Sequence, residues 1–320
     1  MKIAIRGASG FIGSSLTKKI IKENNYEKLL LITRNKKNRR LNDLVKNKEG
    51  VNIAECDYLN PPQLKKIIEN YDLIYDLSGL AFQIASKDAF TKQIIGNSLN
   101  ALVLGSILER YQRLVWVSTS AVRLYLDYPD SSYTNSYAFS KYLGEEFLKK
   151  GSKGNIKILR ISDVYGPGQD ISRKMIDPQL PARRIQRFVA AYKLISRNKT
   201  SWIPSKGKRV NGFYKKGSKV VHEINNDFVY PTFIDDVVRV LINAGRTKNK
   251  KITYDLYGSK LSNLEMVGII QNFFDVEVEI RIRNVTVNSI EKKESHFRNL
   301  GINPDSITTF SDGLRVWLVK

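Results

Sequence analysis

The sequence is poor in residues that make covalent or metal cross-links. It has one cysteine, Cys56, and two histidines, His222 and His296, among 320 residues. A single cysteine excludes an internal disulfide and fits a cytoplasmic setting. So few soft ligands argue against a zinc site, and no metal is expected. No apolar run approaches the ~20 residues that cross a bilayer, so membrane insertion is not expected. The opening MKIAIRGASG also lacks the long apolar stretch of a secretory leader. Acids are scarce too: 31 Asp and Glu stand against 53 Lys and Arg, a formal net charge of +22.

What is present suits a folded chain. Apolar residues make up 42% and aromatic residues 10%, above the range of disordered sequences. The basic excess is uneven. Residues 171–220 carry fourteen Lys or Arg against one acid, Asp177. Such a block suits a polyanion or a phosphate-bearing substrate, and equally a solvated surface.

Short apolar strands are expected over 2–5, 29–33, 51–54, 73–77, 114–118 and 156–161. Helical patterns lie between them, over 11–23, 62–70, 94–110 and 137–149. This alternation predicts a parallel sheet covered on both faces. Later segments predict helices near 182–196, 263–273 and 311–319, a strand leading into a helix over 230–244, and strands over 252–256 and 276–282.

The first strand runs into GASGFIG, with Gly7, Gly10 and Gly13, and then into a helix. Glycine lets backbone turn tightly and approach a ligand. A helix N-terminus offers unpaired N–H groups to a pyrophosphate. Strand, glycine turn and helix stand in the order a dinucleotide site requires. Near the end of the second strand an acid would hold a ribose 2′-hydroxyl. The sequence there reads Thr33-Arg34-Asn35-Lys36-Lys37. Arg34 can instead pair with a 2′-phosphate, which favours NADP over NAD.

The stretch NSYAFSKYLGEEF places Tyr137 four residues before Lys141, on one helix face. Phe139, Leu143 and Phe147 form a separate apolar stripe. An ammonium beside a phenol favours phenolate and lowers the tyrosine pKa from its usual ~10, which makes a general acid/base. The competing reading pairs Lys141 with Glu145, an order that is the weaker one for a helix. A hydroxyl at the end of the strand over 114–118 would fix a substrate oxygen, and Ser118, Thr119 and Ser120 all qualify chemically.

GASGFIG and YAFSK, with ECDYLN, DLIYDLSGLA, GNSLNALVLGSILE, LRISDVYGPGQD, PTFIDDVVRVL and LGINPDSITTFSDGLRVWL, resemble the extended short-chain dehydrogenase/reductases, the NAD-dependent epimerase/dehydratase family. Arg6 departs from the pattern, standing where a threonine commonly precedes the first glycine. The resemblance implies a Rossmann-type doubly wound parallel sheet, α/β in class, with a smaller C-terminal α+β substrate-binding lobe. Residues 1–165 with 230–257 would form the dinucleotide-binding domain, and 166–229 with 258–320 the lobe.

It also implies site residues. Gly7, Ser9, Gly10, Phe11, Ile12 and Gly13 would hold the dinucleotide with Arg34. Asp57 and Tyr58 would meet the adenine; Leu77, Ser78, Gly79 and Asn97 would line the cofactor. Tyr137 would exchange the proton and Lys141 would also hold the nicotinamide ribose. Thr119 is the matching hydroxyl, with Ser120 in reserve. In the family's dehydratases an Asp-Glu pair follows that threonine; here Ser120-Ala121 follows, which disfavours dehydration. The implied substrate is a nucleoside-diphosphate sugar, undergoing 4-keto reduction or epimerisation. Asp163, Arg183, Arg187 and Arg209 are its candidate contacts. A homodimer is implied, and nucleic acid is not the expected partner. The alternative is a non-catalytic nucleotide-sensing or RNA-associated protein on the same fold, which the charge would suit.

Overall fold

The computed structural model describes residues 1–80, 88–127, 136–177, 184–205, 209–225, 227–283 and 295–319. β1 (Lys2–Arg6), α1 (Phe11–Glu23), β2 (Lys28–Thr33), α2 (Arg39–Val45), β3 (Val51–Glu55) and α3 (Pro61–Ile68) alternate first. β4 (Leu73–Asp76) precedes α4 (Ala89–Gln93), a π-helical turn (Ile94–Leu99) and α5 (Asn100–Ile107). β5 (Arg113–Thr119), α6 (Ala121–Asp127), α7 (Ser136–Gly151), β6 (Asn155–Ile161) and β7 (Val164–Tyr165) follow. Next come α8 (Arg184–Ile195), β8 (Phe213–Lys216), β9 (Lys219–Asn225), β10 (Phe228–Val229), β11 (Thr232–Phe233) and α9 (Ile234–Arg246). The remaining elements are β12 (Thr253–Leu256), β13 (Leu261–Ser262), α10 (Asn263–Phe274), β14 (Glu279–Arg283) and α11 (Phe310–Leu318).

The chain divides into two units. The first comprises Met1–Ile161, Ile234–Leu256 and Glu294–Ser306. Its seven-stranded sheet has the order β12-β6-β5-β4-β1-β2-β3, and every pairing is parallel. Strand order reverses between β1 and β4, the kind of switch point at which open α/β sheets bind ligands. The burial explains the sequence pattern. Leu29–Leu31 and Ile32 of β2 and the whole of β4 are buried, as strands covered on both faces must be. Leu30, Ile32, Ile74, Leu114, Trp116 and Ile158 of the sheet pack with Leu64 and Ile68 of α3, Leu104 of α5 and Leu148 of α7.

The helix expected over 94–110 differs. It starts earlier, at Ala89, widens into the π turn and stops at Ile107. The widened turn carries Asn97, whose side chain is used in full. Its Oδ1 accepts from the Leu80 N–H at 3.0 Å, and its Nδ2 donates to the Leu80 carbonyl at 3.3 Å and to Ser140 Oγ at 3.0 Å. Short π segments of this kind recur at functional sites. Two short helices, α2 and α6, have no counterpart in the expected elements.

The second unit comprises Ser162–Phe233, Tyr257–Lys293 and Ile307–Lys320. Here β9 pairs antiparallel with β8 and parallel with β14. Tyr165 of β7 lies 5.5 Å from Phe233 and 5.1 Å from Phe310, ring to ring, anchoring one part of its core. The expected helix near 182–196 is α8. Its Phe188 and Tyr192 meet His222 of β9, which is fully buried. The His222 ring stacks on Phe213 at 3.8 Å and takes the edge of Phe188 at 4.6 Å. Nδ1 lies 3.0 Å from the Tyr192 hydroxyl, and Nε2 has no hydrogen-bond partner among the described residues.

Burial lowers the His222 pKa from 6.5 to about 3. The imidazole therefore stays neutral in the fold, while the unfolded chain takes up its proton near pH ~6.5. Stability from this site is intact above that pH and drains away as pH falls toward about 3. We expect His222→Phe to flatten the acid loss of unfolding free energy by up to ~1.4 kcal/mol per pH unit. Denaturant titrations between pH ~7.5 and ~4.5 measure it. An unchanged slope would show that the imidazole does not govern acid unfolding.

Candidate active site

The C-terminal ends of β1, β2, β3 and β4 open into one cavity of about 430 Å³. Gly7, Ser9 and Gly10 form one wall, Arg34 with Asn35 and Asn38 a second, and Asp57 with Tyr58 a third. Leu77, Ser78, Gly79 and Leu80 close it from β4, with Gly96 and Asn100 behind. The volume lies in the usual range for small-molecule sites. Nine residues singled out in the sequence thus meet: Gly7, Ser9, Gly10, Arg34, Asp57, Tyr58, Leu77, Ser78 and Gly79.

The glycine turn is built for close approach. Gly7 has φ +77°, and a Cβ there would lie 2.7 Å from the backbone of Leu77 and Ser78. The Gly10 N–H turns back to the Gly7 carbonyl at 3.0 Å. Gly10 then caps α1 without any side-chain acceptor, so the N–H groups of Phe11, Ile12 and Gly13 lack a side-chain cap. A helix of 13 residues presents the positive end of its dipole there.

Two wall residues are held from behind. The Tyr58 hydroxyl donates to the Ile32 carbonyl at 2.9 Å, and its ring stacks against the Arg6 guanidinium at 4.4 Å. Ser78 donates to Asp76 Oδ1 through both its N–H, at 3.0 Å, and its hydroxyl, at 2.5 Å. Sequence reasoning passed over Arg6 and Asp76 as site residues. Arg6 was visible only as a departure from the family pattern.

Helix α7 brings Tyr137 and Lys141 to the same unit. Lys141 is buried, and its amine donates to the Val117 carbonyl at 2.9 Å. β4 stops at Asp76, opposite Trp116, so β5 has an open edge beyond that point. The same amine lies 4.5 Å from the centre of the Trp116 ring. It also approaches the cavity: a Cβ on Gly79 would sit 3.1 Å from Lys141 Nζ and 2.7 Å from Asn97 Oδ1. Burial lowers the Lys141 pKa to about 8, against an upward pull from Asp76 and Glu145. The amine is thus largely cationic at neutral pH and loses its charge just above.

The direct ion-pair partners of Glu145 among the described residues are Arg160 and Lys149, not Lys141. That carboxylate is fully buried and accepts from Ser118 Oγ at 2.6 Å, and from Arg160 Nε at 2.9 Å and Nη2 at 2.6 Å. Breaking such a buried pair by removing one partner typically costs about 3–5 kcal/mol. Phe139 lies on the outer side, stacked 6.2 Å from Phe90 and tilted against Tyr125 at 5.6 Å. At the end of β5, Thr119 Oγ1 accepts from the Ala121 N–H at 3.3 Å, and the Ser120 N–H donates to the Ile161 carbonyl at 3.2 Å.

The remaining candidates belong to the second unit. The Asp163 carbonyl accepts from Thr232 N–H at 2.9 Å. Arg187 donates to Asn211 Oδ1 at 2.9 Å, and burial lowers its pKa. Arg209 is held by Glu223 at 2.7 Å. Arg183 lies outside the described residues. Among the described residues, no cluster of His, Cys, Asp and Glu could hold a metal ion, and no helix is long and apolar enough to cross a membrane.

Residues 3–209 match the model of the NAD dependent epimerase/dehydratase family. The chain belongs to this family. No curated protein matches the sequence. Solved structures do resemble its fold. The Bordetella bronchiseptica enzyme WbmG, in complex with NAD and UDP, is 15% identical with a TM-score of 0.72, covering 99% of this chain and 92% of that one. A UDP-glucuronic acid 4-epimerase from Bacillus cereus, in complex with UDP-glucuronic acid and NAD, is 20% identical with a TM-score of 0.70, covering 99% and 97%. A UDP-N-acetylglucosamine 4-epimerase from Methanobrevibacter ruminantium M1, in complex with UDP-N-acetylmuramic acid, is 19% identical with a TM-score of 0.72, covering 98% and 96%.

The cavity geometry generates a test of its own. Gly7→Ala places a Cβ against backbone at positive φ, so we expect a loss of about 1–3 kcal/mol from the conformation alone. Denaturant unfolding measures it; a variant as stable as the parent would show that the turn has room.

Proposed function

We propose that this chain is an NAD(P)-dependent oxidoreductase or epimerase of nucleoside-diphosphate sugars, acting by 4-keto reduction or epimerisation rather than dehydration. One observation carries the reading: a buried amine, Lys141, sits one helical turn from Tyr137 and against Gly79 of the cavity at the strand-order switch point. Relatives of the same fold hold NAD and UDP-sugars, which supports the substrate class.

The residues present fit a dinucleotide. The uncapped start of α1 after Gly10 suits its pyrophosphate, and Gly7 and Gly79 line the cavity at points where a Cβ would collide with Leu77 and Ser78 or with Asn97 and Lys141, so the backbone itself forms the wall there. Ser9 to Gly13 would hold the phosphates, Asp57 and Tyr58 the adenine end, and Leu77, Ser78, Gly79, Asn97 and Lys141 the remainder. When bound, the nicotinamide supplies a hydride acceptor and donor.

The chain's own part is proton transfer and positioning. Tyr137 takes a proton from a sugar hydroxyl, or returns it to the carbonyl oxygen. The Lys141 ammonium favours the phenolate, because opposite charge nearby stabilises the ionised form. Thr119, with Ser120 beside it, would hold the sugar oxygen by hydrogen bond. No carboxylate follows Thr119, so the acid/base pair that water loss needs is missing at that point. Arg183, Arg187 and Arg209 are the candidates for the substrate diphosphate, with Asp163 for the sugar or base. A diphosphate would have to displace Asn211 from Arg187 and Glu223 from Arg209. A binding-only protein on this fold need not keep Tyr137 together with Lys141 and Asn97, which weighs against that alternative.

Tyr137→Phe is expected to lower turnover about 10²–10⁴-fold, the usual worth of a positioned acid/base. Dinucleotide affinity should survive. The assay pairs nicotinamide absorbance with product analysis over a panel of nucleotide sugars, 4-keto forms included. Undiminished turnover would remove the proton role. The preference for NADP rests on Arg34, which lines the cavity with no acid nearby in its loop. Arg34→Ala should weaken NADP roughly tenfold while leaving NAD little changed. Equal effects on both, or none, would defeat that preference.

A further inference from the structure

Arg6 ends β1 immediately before the glycine turn and is fully buried. A guanidinium in such a place is costly unless each of its groups is met. Nη1 donates to Asp76 Oδ2 at 2.9 Å, Nη2 donates to Asn100 Oδ1, and Cζ lies 4.4 Å from the Tyr58 ring centre. Nε has no partner among the described residues.

Each contact leads to the cavity wall. Tyr58 and Asn100 line it directly. Asp76 does not, but it receives both donors of Ser78, which does. Asn100 Nδ2 closes the ring by donating to Ser78 Oγ at 3.3 Å. One cation therefore holds residues of three separate segments: the end of β3, the end of β4 and the first turn of α5. Arg6 itself does not line the cavity. A threonine at this position could neither span these partners nor balance Asp76.

We propose that Arg6 is a positioning residue for dinucleotide binding, the buried cation that fixes Tyr58, Ser78 and Asn100 in the cavity wall. This rests on the dinucleotide reading above. The competing explanation is that Arg6 only neutralises Asp76. The two differ in what removing both charges does.

The experiment compares wild type, R6T, R6K and R6T/D76N as full-length protein. Thermal unfolding and NAD and NADP dissociation constants are measured by calorimetry. R6T should melt lower and bind about tenfold more weakly. R6T/D76N should recover melting temperature, because no buried charge is left unpaired, but should not recover affinity. R6K keeps the charge yet cannot reach Asp76 and Asn100 together, so it too should bind weakly, which gives an answer if R6T does not fold. Wild-type affinity in R6T/D76N or in R6K would overturn the proposal and leave charge balance as the role of Arg6. A wild-type protein that binds neither dinucleotide would overturn the functional reading, and this inference with it.

Discussion

The site depends on an inverted helix. α7 turns Lys141 and Glu145 inward and leaves Phe139, Leu143 and Phe147 half-buried on its other side. Burying charge in this way is unfavourable unless each group is answered. Glu145 is answered by Arg160 and Ser118, and Lys141 by the Val117 carbonyl and the Trp116 ring. β5 supplies three of these partners and β6 the fourth. The sheet therefore fixes the rotation of the helix about its own axis, and with it the place from which Tyr137 projects.

The same principle holds at the other wall. Arg6, Asp76, Ser78, Asn100 and Tyr58 form a linked polar network behind one wall of the cavity, with Arg6 Nε left unmet among the described residues. Linked hydrogen bonds in low dielectric strengthen one another. Both sides of the site are thus organised by buried charges of the protein itself. Asn97, on the π turn, joins them by touching Leu80 on one side and Ser140 on the other.

The parallel sheet and the place of the glycine turn were legible from residues alone. Short apolar runs such as LLLI can be read as buried parallel strands because helical patterns alternate with them at the spacing of a parallel sheet. GASGFIG and the Tyr137–Lys141 spacing point to a site through backbone geometry and helix periodicity, both local. What was hidden is non-local. The partner of Glu145 is Arg160, fifteen residues away on a strand, whereas helical spacing offered Lys141. The π turn is set by Leu80 and Ser140, neither of which lies in the helix it widens. The β8–β9 hairpin has a signal that went unused: Gly217-Ser218 between two short alternating runs, with Gly217 at φ +63°. Lysines at Lys215, Lys216 and Lys219 masked that alternation as a charged loop.

The Arg6–Asp76 pair also constrains how the sheet can assemble. The two residues are 70 positions apart, yet stand directly opposite across β1 and β4. Side chains alternate faces along a strand, so slipping β1 by one residue would send the guanidinium to the opposite layer, away from its carboxylate. A slipped apolar pair loses packing. A slipped ion pair loses packing and also leaves a cation buried alone, so this pair adds its own penalty against misalignment at the crossover where the cavity opens.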